Sequence, residues 1–132
     1  MNAFLVDLEN KPGELARVTE AIAAKGVDIK AVSGTTSGDR ARVAIITSDE
    51  DATTAALRGA GCSFRMTDAT EISLRSRPGS LAQATRRLAE GEINIEAIMV
   101  IGMDGDEVKV AFITDAPAKA RTILSMAESA LR

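Results

Sequence analysis

ENKPGELA, residues 9–16, returns as RSRPGSLA, residues 75–82. Pro12 and Pro78 stand 66 positions apart, and so do Gly13 and Gly79, Leu15 and Leu81, and Ala16 and Ala82. The same offset of 66 pairs Thr19 with Thr85, Ile22 with Leu88, and VDIKAV (27–32) with INIEAI (93–98). At an offset of 67, VAIIT (43–47) pairs with VAFIT (110–114), so one extra residue of turn length is expected in the second copy. A shared order of segments at a fixed spacing is the signature of an internal duplication. The chain of 132 residues therefore reads as two units, 1–67 and 68–132.

Each unit carries the same pattern. FLVDLE (4–9) and EISLR (71–75) are short strands, and the Pro-Gly follows. Leu15, Val18, Ile22 and Ala23 then share one helical face, as do Leu81, Ala84, Leu88 and Ala89. Gly26 and Gly91 lie where a helix wants a left-handed residue at its end. Two strands joined by a turn come next, at 29–36 and 41–47 and again at 95–102 and 107–114. Asp39 and Asp104–Gly105 supply the turn chemistry. Second helices follow at 50–59 and 116–131, with Asp49 and Asp115 as N-caps. The first unit closes on a strand, CSFRMT (62–67).

This order, β-α-β-β-α-β, is the split-βαβ, ferredoxin-like plan. It predicts an α+β fold with helices on one face of antiparallel sheets. The second unit runs to its end in a helical pattern and so lacks its last strand. The link at 67–70 is too short to be a flexible linker, which predicts rigidly adjacent units. A unit of this size buries only about 60% of its unfolded surface. A missing strand also leaves a sheet edge to be covered. Both considerations predict a homodimer, or a pseudo-dimer of the two repeats that dimerises again.

Composition excludes several functions. Hydrophobic residues make up 45% and charged residues 27%, the balance of a soluble globular chain. No apolar run is long enough to span a bilayer, and the acidic start does not resemble a signal peptide. Cys62 is the only cysteine, so no internal disulfide forms and a cytoplasmic location is expected. The absence of His removes the usual general base and the usual zinc ligand. Trp and Tyr are also absent, and the net charge is -3, which argues against a nucleic-acid partner. Asp49, Glu50 and Asp51 lack the spaced ligands of a calcium loop, so no metal or cofactor is expected. Acylphosphatase-like catalysis has only Arg75 and Arg77 to offer, in an unsuitable loop, so no enzyme is expected either. Met66, Met99, Met103 and Met126 are expected to fill core gaps.

A strand, then N-K-P-G-E-L-A, an amphipathic helix and V-D-I, resembles the ACT domain. The second unit, with S-R-P-G-S-L-A and I-N-I, resembles it too, so the likeness covers nearly the whole chain. The resemblance implies a small regulatory module that binds an amino acid between two neighbouring units. It further implies a pocket made by the strand–helix loop of one unit and the second strand of its neighbour. Carried onto this chain, the ligand residues are Asn10, Lys11, Pro12, Gly13, Glu14 and Leu15, with Asp28 and Ile29. The second set is Ser76, Arg77, Pro78, Gly79 and Leu81, with Asn94 and Ile95. Ser76 stands where the family has Asn or Asp, which ranks the second set lower.

The residue chemistry agrees with such a site. A helix N-terminus offers free N–H groups and a positive dipole end to a carboxylate. Glycine lets a ligand approach the backbone. Asp28 and Asn94 are placed to meet an ammonium group. Each feature also has a structural reading. Pro-Gly is a turn with Pro in the first helical turn, and Asp28 and Asn94 are strand-start residues. Function divides in the same way. The chain is an amino-acid sensor, or it is a regulatory subunit for an amino-acid biosynthetic enzyme with no ligand of its own.

Overall fold

The computed structural model describes the backbone of residues 1–131 and the side chains of residues 1–126. The elements in order are β1 (Asn2–Glu9), α1 (Glu14–Ala23), β2 (Ile29–Ser37), β3 (Arg40–Thr47), α2 (Glu50–Gly59), β4 (Ser63–Arg75), α3 (Ser80–Glu90), β5 (Ile95–Asp104), β6 (Glu107–Thr114) and α4 (Pro117–Leu131). Two compact units result: Asn2–Thr67, and the residues from Asp68 onward together with Met1. Both are ferredoxin-like, and among the described residues no strand follows α4.

In the first unit β3 pairs antiparallel with both β1 and β2, so that Val43 stands between Val6 and Gly34. Residues alternate across a strand. One face thus collects Phe4, Val6, Leu8, Val43 and Ile45, which bury Val18 and Ile22 of α1 and Leu57 of α2. Phe64 of β4 closes this core against Phe4, with ring centroids 6.0 Å apart at 50°. The second unit repeats the arrangement with β6 between β4 and β5. Its core joins Ile72, Leu74, Val110 and Phe112 to Leu88 of α3 and Leu124 of α4.

Several expectations are corrected. Leu15 and Leu81 are 47% and 48% exposed and stand outside the two cores. The residues at 67–70 are strand, continuous within β4, as suits the β-branched Thr67 and Thr70. Asp49 caps α2 by accepting from the N–H of Ala52 at 3.0 Å. Asp115 accepts instead from the N–H of Asn94 at 2.9 Å, and α4 begins two residues later. Met99 is core, whereas Met66, Met103 and Met126 are exposed.

The extra residue of the second unit is not in a turn. Gly38-Asp39 and Gly105-Asp106 are both two-residue hairpin loops with glycine first, at φ 61 and 60. The insertion is Ile101, skipped by the register between Val100 and Gly102 as a bulge in β5. Gly91 also differs from expectation. Its φ is -83, and the left-handed residue after α3 is Glu92 at φ 59, the counterpart of Gly26 at φ 72. Glycine at 91 serves close packing, since a Cβ there would lie 2.5 Å from Cδ1 of Ile123 on α4.

Candidate functional site

Pro12 lies outside the helix. The N–H of Glu14 donates to the carbonyl of Lys11 at 3.4 Å, closing a β-turn with Pro12 second and Gly13 third. Gly13 has φ 88 and ψ -11, the third-position values of a type II turn, which only glycine adopts freely. Arg77, Pro78, Gly79 and Ser80 repeat it, with the same 3.4 Å bond and φ 89 at Gly79. In both units the glycine is the helix N-cap and offers no side chain to the first turn. The repeated Pro-Gly is thus a turn and a helix start in one, and its backbone is alike in both units.

The turn is tied to the hairpin beside it. The N–H of Asn10 donates to the carbonyl of Asp39 at 2.8 Å, and that of Ser76 donates to Asp106. Asn10 adds a second strap, from Nδ2 to the carbonyl of Gly38 at 2.9 Å. Asn10→Ala removes this strap. It is expected to cost about 1 kcal/mol, read as a lower urea midpoint.

Between the strapped turn and the sheet lies a groove of about 610 Å³. Its floor is apolar: Leu8, Val32, Ala41 and Val43, with Gly34 adding no side chain. Asn10, Lys11, Glu14 and Leu15 form the turn-side wall, and Thr35 and Thr36 lie along β2. Charges ring the rim. Lys11 Nζ stands 2.9 Å from Glu9 Oε2, which raises the lysine pKa through that hydrogen bond and the carboxylate's charge. Glu14 accepts from Arg17 Nε at 3.2 Å, and this hydrogen bond holds its carboxyl below the usual range. Arg17 also bonds the carbonyl of Ala60, which anchors the pair to the end of α2. An apolar floor under a few convergent charges suits a small zwitterion with an aliphatic side chain.

The expected residues divide. Asn10, Lys11, Glu14 and Leu15 line the groove, while Pro12 and Gly13 shape its turn. Asp28 and Ile29 lie outside it. Asp28 exchanges backbone bonds with Ser48, at 3.0 Å to Ser48 Oγ and 3.0 Å from Ser48 N–H, and Ile29 packs on the core. Four residue steps along the strand, roughly 13 Å, separate Asp28 from Val32. In the second unit Ser76, Arg77, Pro78 and Gly79 form the matching turn, with Leu81 exposed beside it. Asn94 is held by Asp115 on both backbone atoms, and Ile95 packs on the second core.

Val32, Gly34, Thr35 and Thr36 were not among the residues expected from the sequence. For the last three the signal is the run SGTTSG (33–38), where small residues replace the apolar alternation of a strand. Glycine inside a strand marks space or a close approach.

A family model described as an ACT domain pair matches residues 1–130. Protein BT0572 from Bacteroides thetaiotaomicron is similar in structure, with a TM-score of 0.80 and 26% identity over 95% of this chain and 86% of that one. The ligand-free regulatory subunit of aspartate kinase from Thermus thermophilus shares the fold at a TM-score of 0.65 and 21% identity, over 96% of this chain and 90% of that one. Aspartokinase III of E. coli, in complex with lysine and aspartate, shares it at 0.61 and 16% identity, over 98% of this chain but 31% of that one. None of the curated proteins matches the sequence significantly.

Proposed function

The chain belongs to the ACT domain pair family, and on that premise we propose that it is a regulatory protein whose first unit binds a small aliphatic amino acid. The single observation that supports this most is the groove, with an apolar floor beneath a rim of opposite charges. The ligand's side chain lies over Leu8, Val32 and Val43. Its carboxylate meets Lys11 and the uncapped first turn of α1, where the dipole favours an anion. Its ammonium meets Glu9 and Glu14. Glu14 remains ionised in mild acid because Arg17 favours the carboxylate.

The groove is open along β2, and we propose that a second copy of the chain closes it, giving a homodimer. Binding then stabilises the closed assembly by the ligand's differential affinity for it. The role is regulatory and not catalytic, and it is exercised in the cytoplasm. Among the described residues no helix is long and apolar enough to cross a membrane.

A melting screen against the twenty amino acids tests this proposal. A ligand at 100 times its dissociation constant stabilises by about 2.7 kcal/mol. A rise in melting temperature with valine, isoleucine, leucine or alanine is expected. No rise with any amino acid at millimolar concentration counts against the proposal.

A second reading has one observation in its favour. The fold matches the aspartate kinase regulatory subunit over 96% of this chain. On that reading the chain is itself a regulatory subunit, and its partner is a metabolic enzyme. Co-purification of such an enzyme with the tagged chain supports it, and a ligand-responsive dimer without a partner opposes it.

A further inference from the structure

The two units share a backbone turn, but the residues that stand beside it differ. We propose that the chain has one ligand site and not two, and that residue 34 decides it: Gly34 opens the floor in the first unit, and its counterpart Val100 fills it in the second. The inference rests on the amino-acid reading for its ligand and on the strand register for its geometry.

The register makes the comparison direct. Gly34 pairs with Val43, and Val100 pairs with Val110, with the two valines of the central strands equally buried at 5% exposure. Val100 is 58% exposed, so its side chain stands out from the sheet at the position Gly34 leaves open. Two pairs further along, Thr36 faces Ala41, whereas Met103 faces Val108. The bulge at Ile101 adds another apolar residue between them. Three small residues around the groove thus become Val, Met and Val.

The rim changes with the floor. Glu9, Lys11 and Glu14 become Arg75, Arg77 and Ser80 at the 66-residue offset. Both carboxylates of the first rim are lost. Ser80 is buried at 3% exposure and accepts from Arg77 Nε at 3.4 Å. Two arginines can meet an amino acid's carboxylate, but they repel its ammonium. The second turn therefore keeps the backbone of the first under a different rim, in which Asp106 of the hairpin, 3.9 Å from Arg75 Nε, supplies a carboxylate from another place.

Position 34 also allows a clean test. Gly34 has no positive φ, and an added Cβ would meet Val43 Cγ2 at 3.5 Å and the carbonyl of Arg42 at 3.7 Å, ordinary contacts. Valine is a good strand residue. Gly34→Val therefore copies the second unit into the first without straining the backbone.

The full-length chain, labelled with 15N, is titrated with L-valine and separately with isobutanol, an aliphatic probe without charges. L-Valine is expected to move the amides of residues 10–15 and 32–36, to saturate at one molecule per chain, and to leave 76–81 and 98–103 unmoved. Isobutanol is expected to move 32–36 alone. Gly34→Val is expected to keep the parent's melting temperature and to weaken both responses more than about tenfold, as extra methylenes in a small pocket do. If isobutanol maps to 32–36 while L-valine moves nothing, the amino-acid reading fails and the single groove stands. Two molecules per chain, equal shifts at 98–103, undiminished binding by Gly34→Val, or no response at 32–36 to either probe overturns the inference.

Discussion

Phe112→Ala is expected to lower the stability of the protein by about 3–5 kcal/mol, the usual cost of removing a buried aromatic ring. Phe112 is 1% exposed and lies at the middle of the second core, paired across β6 with Thr70 and Ile98. The comparison between units explains why so much rests on it. In the first unit the equivalent cross-strand pair is Phe4 with Ile45, and in the second it is Thr70 with Phe112. Each unit places one phenylalanine in that layer, from opposite strands. The neighbours of Phe112 cannot fill the space. Thr70 is small, and its Oγ1 is buried without a partner among the described residues. Small domains hold only about 5–15 kcal/mol in total, so a urea titration should show a midpoint shifted by a large fraction of the whole. A shift under about 1 kcal/mol would show that the core collapses around the missing ring.

Gly13→Ala is expected to cost about 1–2 kcal/mol, for a conformational and not a packing reason. A Cβ at Gly13 would meet nothing within 4 Å, so no clash arises. The cost comes from φ 88, a left-handed value that an L-residue with a side chain reaches only at about this penalty. The turn that carries Lys11 and Glu14 is what is strained, so ligand affinity should fall along with the melting temperature. This coupling separates position 13 from position 34, where affinity falls and stability does not. Differential scanning calorimetry on the two variants side by side reads the distinction. A Gly13→Ala protein as stable as its parent would show that the turn relaxes to another type.

Much of this fold is legible in the sequence because most of its signals are local. The Pro-Gly turns, the Asp49 cap and the helix periodicity each depend on a few neighbouring residues, and the 66-residue spacing shows the pattern twice. Where the spacing is off by one, local logic misleads. Gly91 invites a left-handed assignment by its type, yet Glu92 takes that conformation and Gly91 admits Ile123 of α4. The extra residue of the second unit looks like turn length, but cross-strand pairing places it at Ile101. Asp28 and Asn94 look like ligand residues because they repeat. In each unit the backbone of this residue also closes the start of a strand, against Ser48 or Asp115.

The duplication, the order of elements and the backbone of the Pro-Gly turn follow from the order of residues alone. Proline fixes one torsion and glycine alone tolerates the next, so nothing distant is needed. Which residues face that turn depends on how the strands pair in three dimensions. Register across β2 and β3 brings Gly34 and Val43 under Leu15, and register across β5 and β6 brings Val100 to the same place. Pairing between strands is a long-range choice, and a one-residue slip would send every side chain to the other face. The turn is therefore written twice in the chain, while the residues that register brings beneath it differ between the copies.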